Sequence, residues 1–80
     1  MDIKVWIFSH LKHELGTSEL LLFLPDQATT VDVVEAVRRK LKASSAGIPI
    51  KVAVNLQYVR DPVTLRDGDE VALITPVQGG

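Results

Sequence analysis

The stretch Asp67-Gly68-Asp69-Glu70-Val71-Ala72-Leu73-Ile74-Thr75 is a turn that feeds a strand. Asp-Gly-Asp supplies the short polar side chains and the free backbone that reverse a chain, and the apolar, partly β-branched run after it fits a pleated, half-buried surface. Alternation along this strand sends Val71 and Leu73 to one side and Ala72 and Ile74 to the other. The position of this strand in the sheet decides the fold.

Working back from it, Asp61-Pro62 is a turn and Tyr58-Val59 a short extended piece that follows a tight turn near Asn55. Ile50, Val52 and Val54 alternate with Lys51, Ala53 and Asn55 as a strand, preceded by the loop Ser44-Ser45-Ala46-Gly47. Thr29 or Thr30 caps a helix in which Val34, Val37 and Leu41 recur with Val33 beside them, a stripe that faces the sheet. Asp32 and Glu35 stand early on its outer face and Arg38, Arg39, Lys40 and Lys42 late, the order the helix dipole favours. At the start of the chain, residues 3–8 are a strand ending at Ser9, which caps a short helical turn over residues 9–15 closed by Gly16. Residues 17–24 are a second strand, antiparallel to the first and ended by Pro25-Asp26.

The order is two strands, a helix, then two or three strands, which predicts an α+β domain: a mixed sheet with one main helix across one face. The right-handed crossover rule and the need to bury one sheet face favour the β-grasp arrangement, in which the final strand runs parallel beside the first. Residues 1–76 make up that domain and residues 77–80 a flexible tail. One helix leaves the opposite sheet face open. Val5 and Ile7 point to the helix, so Trp6 and Phe8 join Ala72 and Ile74 on the open side, with Tyr58 extending the patch near the edge. An alternation shifted by one residue would bury these side chains instead. An open apolar patch on a small domain marks a surface for partners.

Eighty residues leave room for one core, and a chain of this size buries only about 60% of its unfolded surface, too little to enclose a deep substrate cavity. With 46% hydrophobic and 24% charged residues the chain has a globular composition, not a disordered one. Nine basic and ten acidic residues give a net charge of −1, so no global field draws it to nucleic acid or to an anionic membrane. No cysteine is present, which excludes disulfides, thiolate metal sites and a cysteine nucleophile, and fits a reducing compartment. The start Met1-Asp2-Ile3-Lys4-Val5 has no basic lead or small-residue cleavage site, and no apolar run approaches the roughly 18 residues of a membrane span. A cytoplasmic domain is the expectation.

Candidate chemistry is sparse. His10 and His13 stand three apart without a third ligand, Asp67, Asp69 and Glu70 belong to a turn, and neither a phosphate loop nor a nucleophile–base arrangement occurs, so no metal site is expected. The remaining feature is the ending Pro76-Val77-Gln78-Gly79-Gly80. Glycine in both of the last two places arises by chance in about 0.5% of chains. Without side chains, Gly79-Gly80 can pass through a narrow channel and bring a carboxylate against another protein's backbone or nucleotide; the alternative is a frayed, inert end.

Taken from end to end, the chain resembles the molybdopterin synthase small-subunit family, the β-grasp, ubiquitin-like sulfur carriers. The matching stretches run from Ile3-Lys4-Val5 to Phe8, through Leu15-Gly16, Thr30-Val31 with Val34, and Val54-Asn55, to Leu65-Arg66-Asp67-Gly68-Asp69-Glu70-Val71-Ala72 and Pro76-Val77-Gln78-Gly79-Gly80. The last two segments are the specific part. The resemblance implies a cycle in which an ATP-dependent adenylating enzyme, related to those that activate ubiquitin, activates the Gly80 carboxylate and a persulfide donor converts it to a thiocarboxylate. The tail of Val77, Gln78, Gly79 and Gly80 then enters the large synthase subunit and gives sulfur to cyclic pyranopterin monophosphate, forming the dithiolene. It also implies that Phe8, Tyr58 and Ile74 dock both enzymes, with Trp6 where an aliphatic residue is frequent, and that the carrier binds no cofactor, ATP being used by its activating enzyme. Carriers for thiamine, tRNA thiolation or amino-acid synthesis share the fold and ending, as do ubiquitin-like modifiers joined to lysines; a plain interaction module with an inert tail is a further alternative.

Overall fold

Ile3, Val5 and Ile7 are fully buried while Lys4 between them is exposed, and this period of two is what a strand covered on one face requires. The strand is β1 (Asp2–Ile7) of a computed structural model that describes residues 1–43, 45 and 47–75. Ser44 and Ala46 of the predicted loop, and the whole of the predicted tail, lie outside the described residues.

Phe8 stays extended after β1 because its N–H donates to the Leu73 carbonyl at 3.2 Å. Helix α1 (Ser9–Leu15) nevertheless starts one residue earlier than a Ser9 cap implies: Phe8 occupies the N-cap position and provides no side-chain cap, and Ser9, expected there, is the first helical residue. Gly16 closes the helix in the left-handed region at φ 72°, where a Cβ would be strained. The second strand is shorter than expected. Thr17 Oγ1 accepts from the Glu19 N–H at 3.3 Å and donates to the Glu19 carbonyl at 2.9 Å, which holds residues 17–19 in a turn and delays β2 to Glu19–Phe23.

Helix α2 (Thr30–Arg38) opens on a capping box: Thr29 Oγ1 accepts from the Val31 N–H at 3.2 Å, and Asp32 Oδ2 accepts from the Thr29 N–H at 2.8 Å. Its buried side is Thr30, Val33 and Val37, with Val34 half-buried beside them; Leu41 of the predicted stripe is buried but lies past the end of the helix. Thr30 fastens this end to the chain before the last strand. Its N–H donates to the Val63 carbonyl at 3.0 Å and its hydroxyl accepts from the Val63 N–H at 3.2 Å.

Strands β3 (Lys51–Val54), β4 (Gln57–Val59) and β5 (Glu70–Ile74) complete a five-stranded sheet in the order β2-β1-β5-β3-β4. Among the described residues only β1 and β5 pair in parallel, with Val5 opposite Val71 and Ile7 opposite Leu73; the other strand pairs are antiparallel. These four residues, with Ile3, Leu11, Val33, Val37 and Leu65, form the core between the sheet and the helices. Burying each such side chain stabilises the fold by about 1.5–3 kcal/mol before conformational entropy is counted. Among the described residues, no helix is long and apolar enough to cross a membrane.

The chain after α2 is held against α1 by Glu14, whose side chain is 8% exposed. One carboxylate oxygen accepts from the Lys42 N–H at 2.8 Å and the other lies 3.4 Å from His10 Nε2. The Ser45 hydroxyl and then the Lys42 amide hold the Glu14 carboxyl below its ordinary value of 4.5, against the opposing effect of burial, with smaller help from the charges of His10 and Lys42. A depressed folded value stabilises the fold above the unfolded value, and that contribution is lost as pH falls through the folded one. Glu14→Gln is therefore expected to be less stable than the parent at neutral pH, with the difference shrinking below about pH 4.5. Thermal unfolding of both proteins across this range checks it, and a difference constant with pH would contradict it.

Candidate functional site

The same parity that buries Val5, Ile7, Val71 and Leu73 turns a row of other side chains to the open face. Register places Glu19 of β2 beside Trp6 of β1, Trp6 beside Ala72 of β5, Ala72 beside Ala53 of β3, and Ala53 beside Tyr58 of β4. Two alanines between two large aromatics make a trough across the sheet. One step toward the end of β5, Phe8 lies alongside Ile74, and Lys51 of β3 pairs with Ile74 on the other side. Phe8 and Tyr58 are exposed, at 45% and 68%, while Trp6 and Ile74 are half-buried. The four predicted docking residues thus share one face. Trp6, Phe8 and Ile74 adjoin, whereas Tyr58 is set apart from Trp6 by the alanine floor.

Trp6 is held in place by polar contacts. Its indole N–H donates to Glu70 Oε1 at 2.7 Å, and Lys4 Nζ sits 5.2 Å from the ring centroid and 4.0 Å from Glu19 Oε2. An aromatic ring fixed in this way loses little freedom when a partner covers it.

Three apolar side chains on this surface were not anticipated from the sequence. Leu21 and Phe23 on β2 are exposed, Phe23 at 82%, and stand opposite Lys4 and Asp2 of β1. Residues 20–24 are Leu-Leu-Leu-Phe-Leu, with no polar residue to reveal which members face out, so only the pairing of Glu19 with Trp6 sets their parity. The third is Leu56, at the two-residue turn between β3 and β4, where Asn55 has φ 47° and Leu56 φ 73°. Left-handed geometry suits such a hairpin turn and favours Asn followed by Gly. Leucine there costs about 1–2 kcal/mol of backbone strain, and at 99% exposure its side chain gains nothing from the fold.

Asn55 ties this turn to the one before β5. Its N–H donates to the Glu70 carbonyl at 2.8 Å, its side-chain carbonyl accepts from the Glu70 N–H at 3.1 Å, and its Nδ2 donates to Asp69 Oδ1 at 3.0 Å. A groove of about 250 Å³ lies between Leu56 and Trp6, lined also by Asn55, Glu70 and Ala72. Away from this face, His10 and His13 are exposed on α1, and no group of three metal-binding side chains occurs among the described residues. Val77, Gln78, Gly79 and Gly80 of the predicted site lie outside the described residues. Thr75, the last one described, follows Ile74 at the sheet end that carries Phe8.

A mixed five-stranded sheet in this order, with its parallel central pair, one covered face and one open apolar face, defines the ubiquitin-like β-grasp class. The chain belongs to the ThiS family, whose model matches residues 5–80. Among curated relatives, the molybdopterin synthase sulfur carrier subunit of Chlamydomonas reinhardtii is 37% identical, the alignment covering 100% of both chains. Among solved structures, the fold matches that of SAMP1 from Haloferax volcanii, 21% identical with a TM-score of 0.78 over 100% of both chains. It also matches a chain in the complex of subunits 1 and 2 of the molybdopterin-converting factor from Helicobacter pylori 26695, 22% identical with a TM-score of 0.66 over 100% of both chains.

The strain at Leu56 yields an expectation for the free protein. Leu56→Gly should raise its unfolding free energy by about 0.5–1 kcal/mol, the relief of left-handed strain less the extra unfolded-state entropy of glycine. Denaturant unfolding measures this, and a loss of stability would show that the exposed leucine supports the fold after all.

Proposed function

We propose that this chain is the sulfur carrier subunit of a molybdopterin synthase, acting through the carboxyl group of Gly80. The observation that carries the reading is the Gly79-Gly80 ending on a ThiS-family β-grasp whose full-length relative bears that name. The likeness to a chain in a complex of the two converting-factor subunits supports a large subunit as partner.

The geometry fits a carrier better than a catalyst. Docking and chemistry are divided between a surface and a terminus: Phe8 and Ile74 lie at the sheet end where the described chain stops, and five further residues can reach at most about 18 Å when fully extended. In this reading a partner seated on Phe8, Ile74, Trp6 and Tyr58 has the terminus within reach of its own active site. Burying three or four such side chains yields roughly 5–12 kcal/mol gross, against an association cost of about 4–15 kcal/mol, a balance that suits reversible exchange between an activating enzyme and a synthase.

A free carboxylate is a poor electrophile, so the activating enzyme first joins the Gly80 carboxylate to AMP with loss of pyrophosphate. A persulfide sulfur then attacks the acyl carbon and AMP leaves; thiol cleavage of the acyl disulfide so formed releases the thiocarboxylate. In the synthase this sulfur is the nucleophile toward cyclic pyranopterin monophosphate, and two deliveries complete a dithiolene. The need for ATP and thiols fits a cytoplasmic location. The carrier contributes a side-chain-free end and a docking face, and the enzymes it visits contribute the catalytic groups.

Incubation with the activating enzyme, ATP and a persulfide donor should raise the intact mass by one oxygen-to-sulfur exchange. Deletion of Gly80 should abolish the change without altering the melting temperature. An unchanged mass beside a verified active enzyme would overturn the proposal.

A further inference from the structure

The groove between Leu56 and Trp6 has a chemistry of its own. Two of its hydrogen-bond donors are engaged: the Trp6 indole N–H is given to Glu70, and the Asn55 amide donates to Asp69. The Glu70 carboxylate still has acceptor capacity, since a carboxylate offers about four lone-pair sites. The same end of the sheet carries Asp2, Asp67 and Asp69. Lys4, the cation closest in register, is directed to the Trp6 ring and to Glu19. A groove of about 250 Å³ falls below the range of roughly 300–1,000 Å³ typical of small-molecule sites; it suits one long side chain of another protein. Its outer wall is the fully exposed, left-handed Leu56, whose strain and exposure bring the free fold no benefit.

We infer that Leu56 and Glu70 form a second contact point on the open face, separate from the Phe8–Ile74 end, which receives an arginine or lysine of the large synthase subunit. The stem of that side chain packs between Leu56 and Trp6 over Ala72, and its cationic head meets the Glu70 carboxylate. Excess acidic charge around the groove selects a cation over a neutral or acidic side chain. This inference rests on the carrier reading above and names a specificity element within it. Trp6 joins the two contact points, being next to Ala72 in register and bonded to Glu70.

The test measures binding of the full chain to the large synthase subunit of the same organism, at low and at physiological salt. Leu56→Asn keeps a residue that tolerates the left-handed turn while removing the apolar wall, and Glu70→Gln keeps an acceptor for the Trp6 indole while removing the charge. The expected result is about tenfold weaker binding for each, the scale of one interface anchor, with a flatter salt dependence for Glu70→Gln and a melting temperature for Leu56→Asn no lower than that of the parent. Binding of both variants within about twofold of the parent, while Phe8→Arg abolishes it, would overturn this inference and leave the carrier reading standing. Absence of any complex with the parent chain would overturn both.

Discussion

The parallel pairing of β1 with β5 is the constraint on which the rest depends. It joins the first and last strands of the sequence at the centre of the sheet, with Val5 opposite Val71 and Ile7 opposite Leu73, all four fully buried. Parity follows from this pair: a slip of one residue would drive Trp6, Phe8 and Ile74 into the core and expose Val5, Ile7 and Leu73. The pairing also sets Phe8 and Ile74 side by side where the described chain ends, so one set of backbone hydrogen bonds fixes the core, the open face and the place of the last described residues.

The surface that results is a trough, not a cavity. Small residues at Ala72 and Ala53 lie between Trp6 and Tyr58, Phe8 and Ile74 close one end, and acidic side chains gather at the other. Such a face can bind without enclosing anything, as a protein of eighty residues must. The function proposed above puts the chemistry elsewhere, on the terminal carboxylate of a chain that has no cysteine. On the proposed reading, separating recognition from reaction lets successive enzymes use one carrier.

Where hydrophobic alternation is interrupted by charge or turn chemistry, the sequence is sufficient. Lys4 between Ile3 and Val5 fixes the faces of β1, Thr29-Thr30 marks the start of α2 to within one residue, and Asp67-Gly68-Asp69 marks the turn into β5. The open-face placement of Trp6, Phe8 and Ile74 follows from the first and last of these signals, whereas Tyr58 rests on its position near the sheet edge and on the family resemblance. Legibility fails where local chemistry is ambiguous or the deciding contact is distant. Ser9 has the side chain of a cap, yet Phe8, extended and bonded through its N–H to the Leu73 carbonyl, takes the N-cap position, and the helix starts one residue earlier. The run from Leu20 to Leu24 has no internal marker of its faces, which hid Leu21 and Phe23. Leu56 was hidden for another reason: a left-handed turn is normally announced by glycine, and here a leucine adopts it after an asparagine anchored to Glu70 and Asp69.

The central claim, that the terminal carboxylate is the reacting group and the sheet only presents it, is tested most directly by appending one alanine after Gly80 and measuring sulfur transfer to the pterin substrate in the presence of the complete set of enzymes. The account expects a folded chain that still binds the large subunit and transfers no sulfur. Transfer at the parent rate by the extended chain, without removal of the added residue, would contradict it.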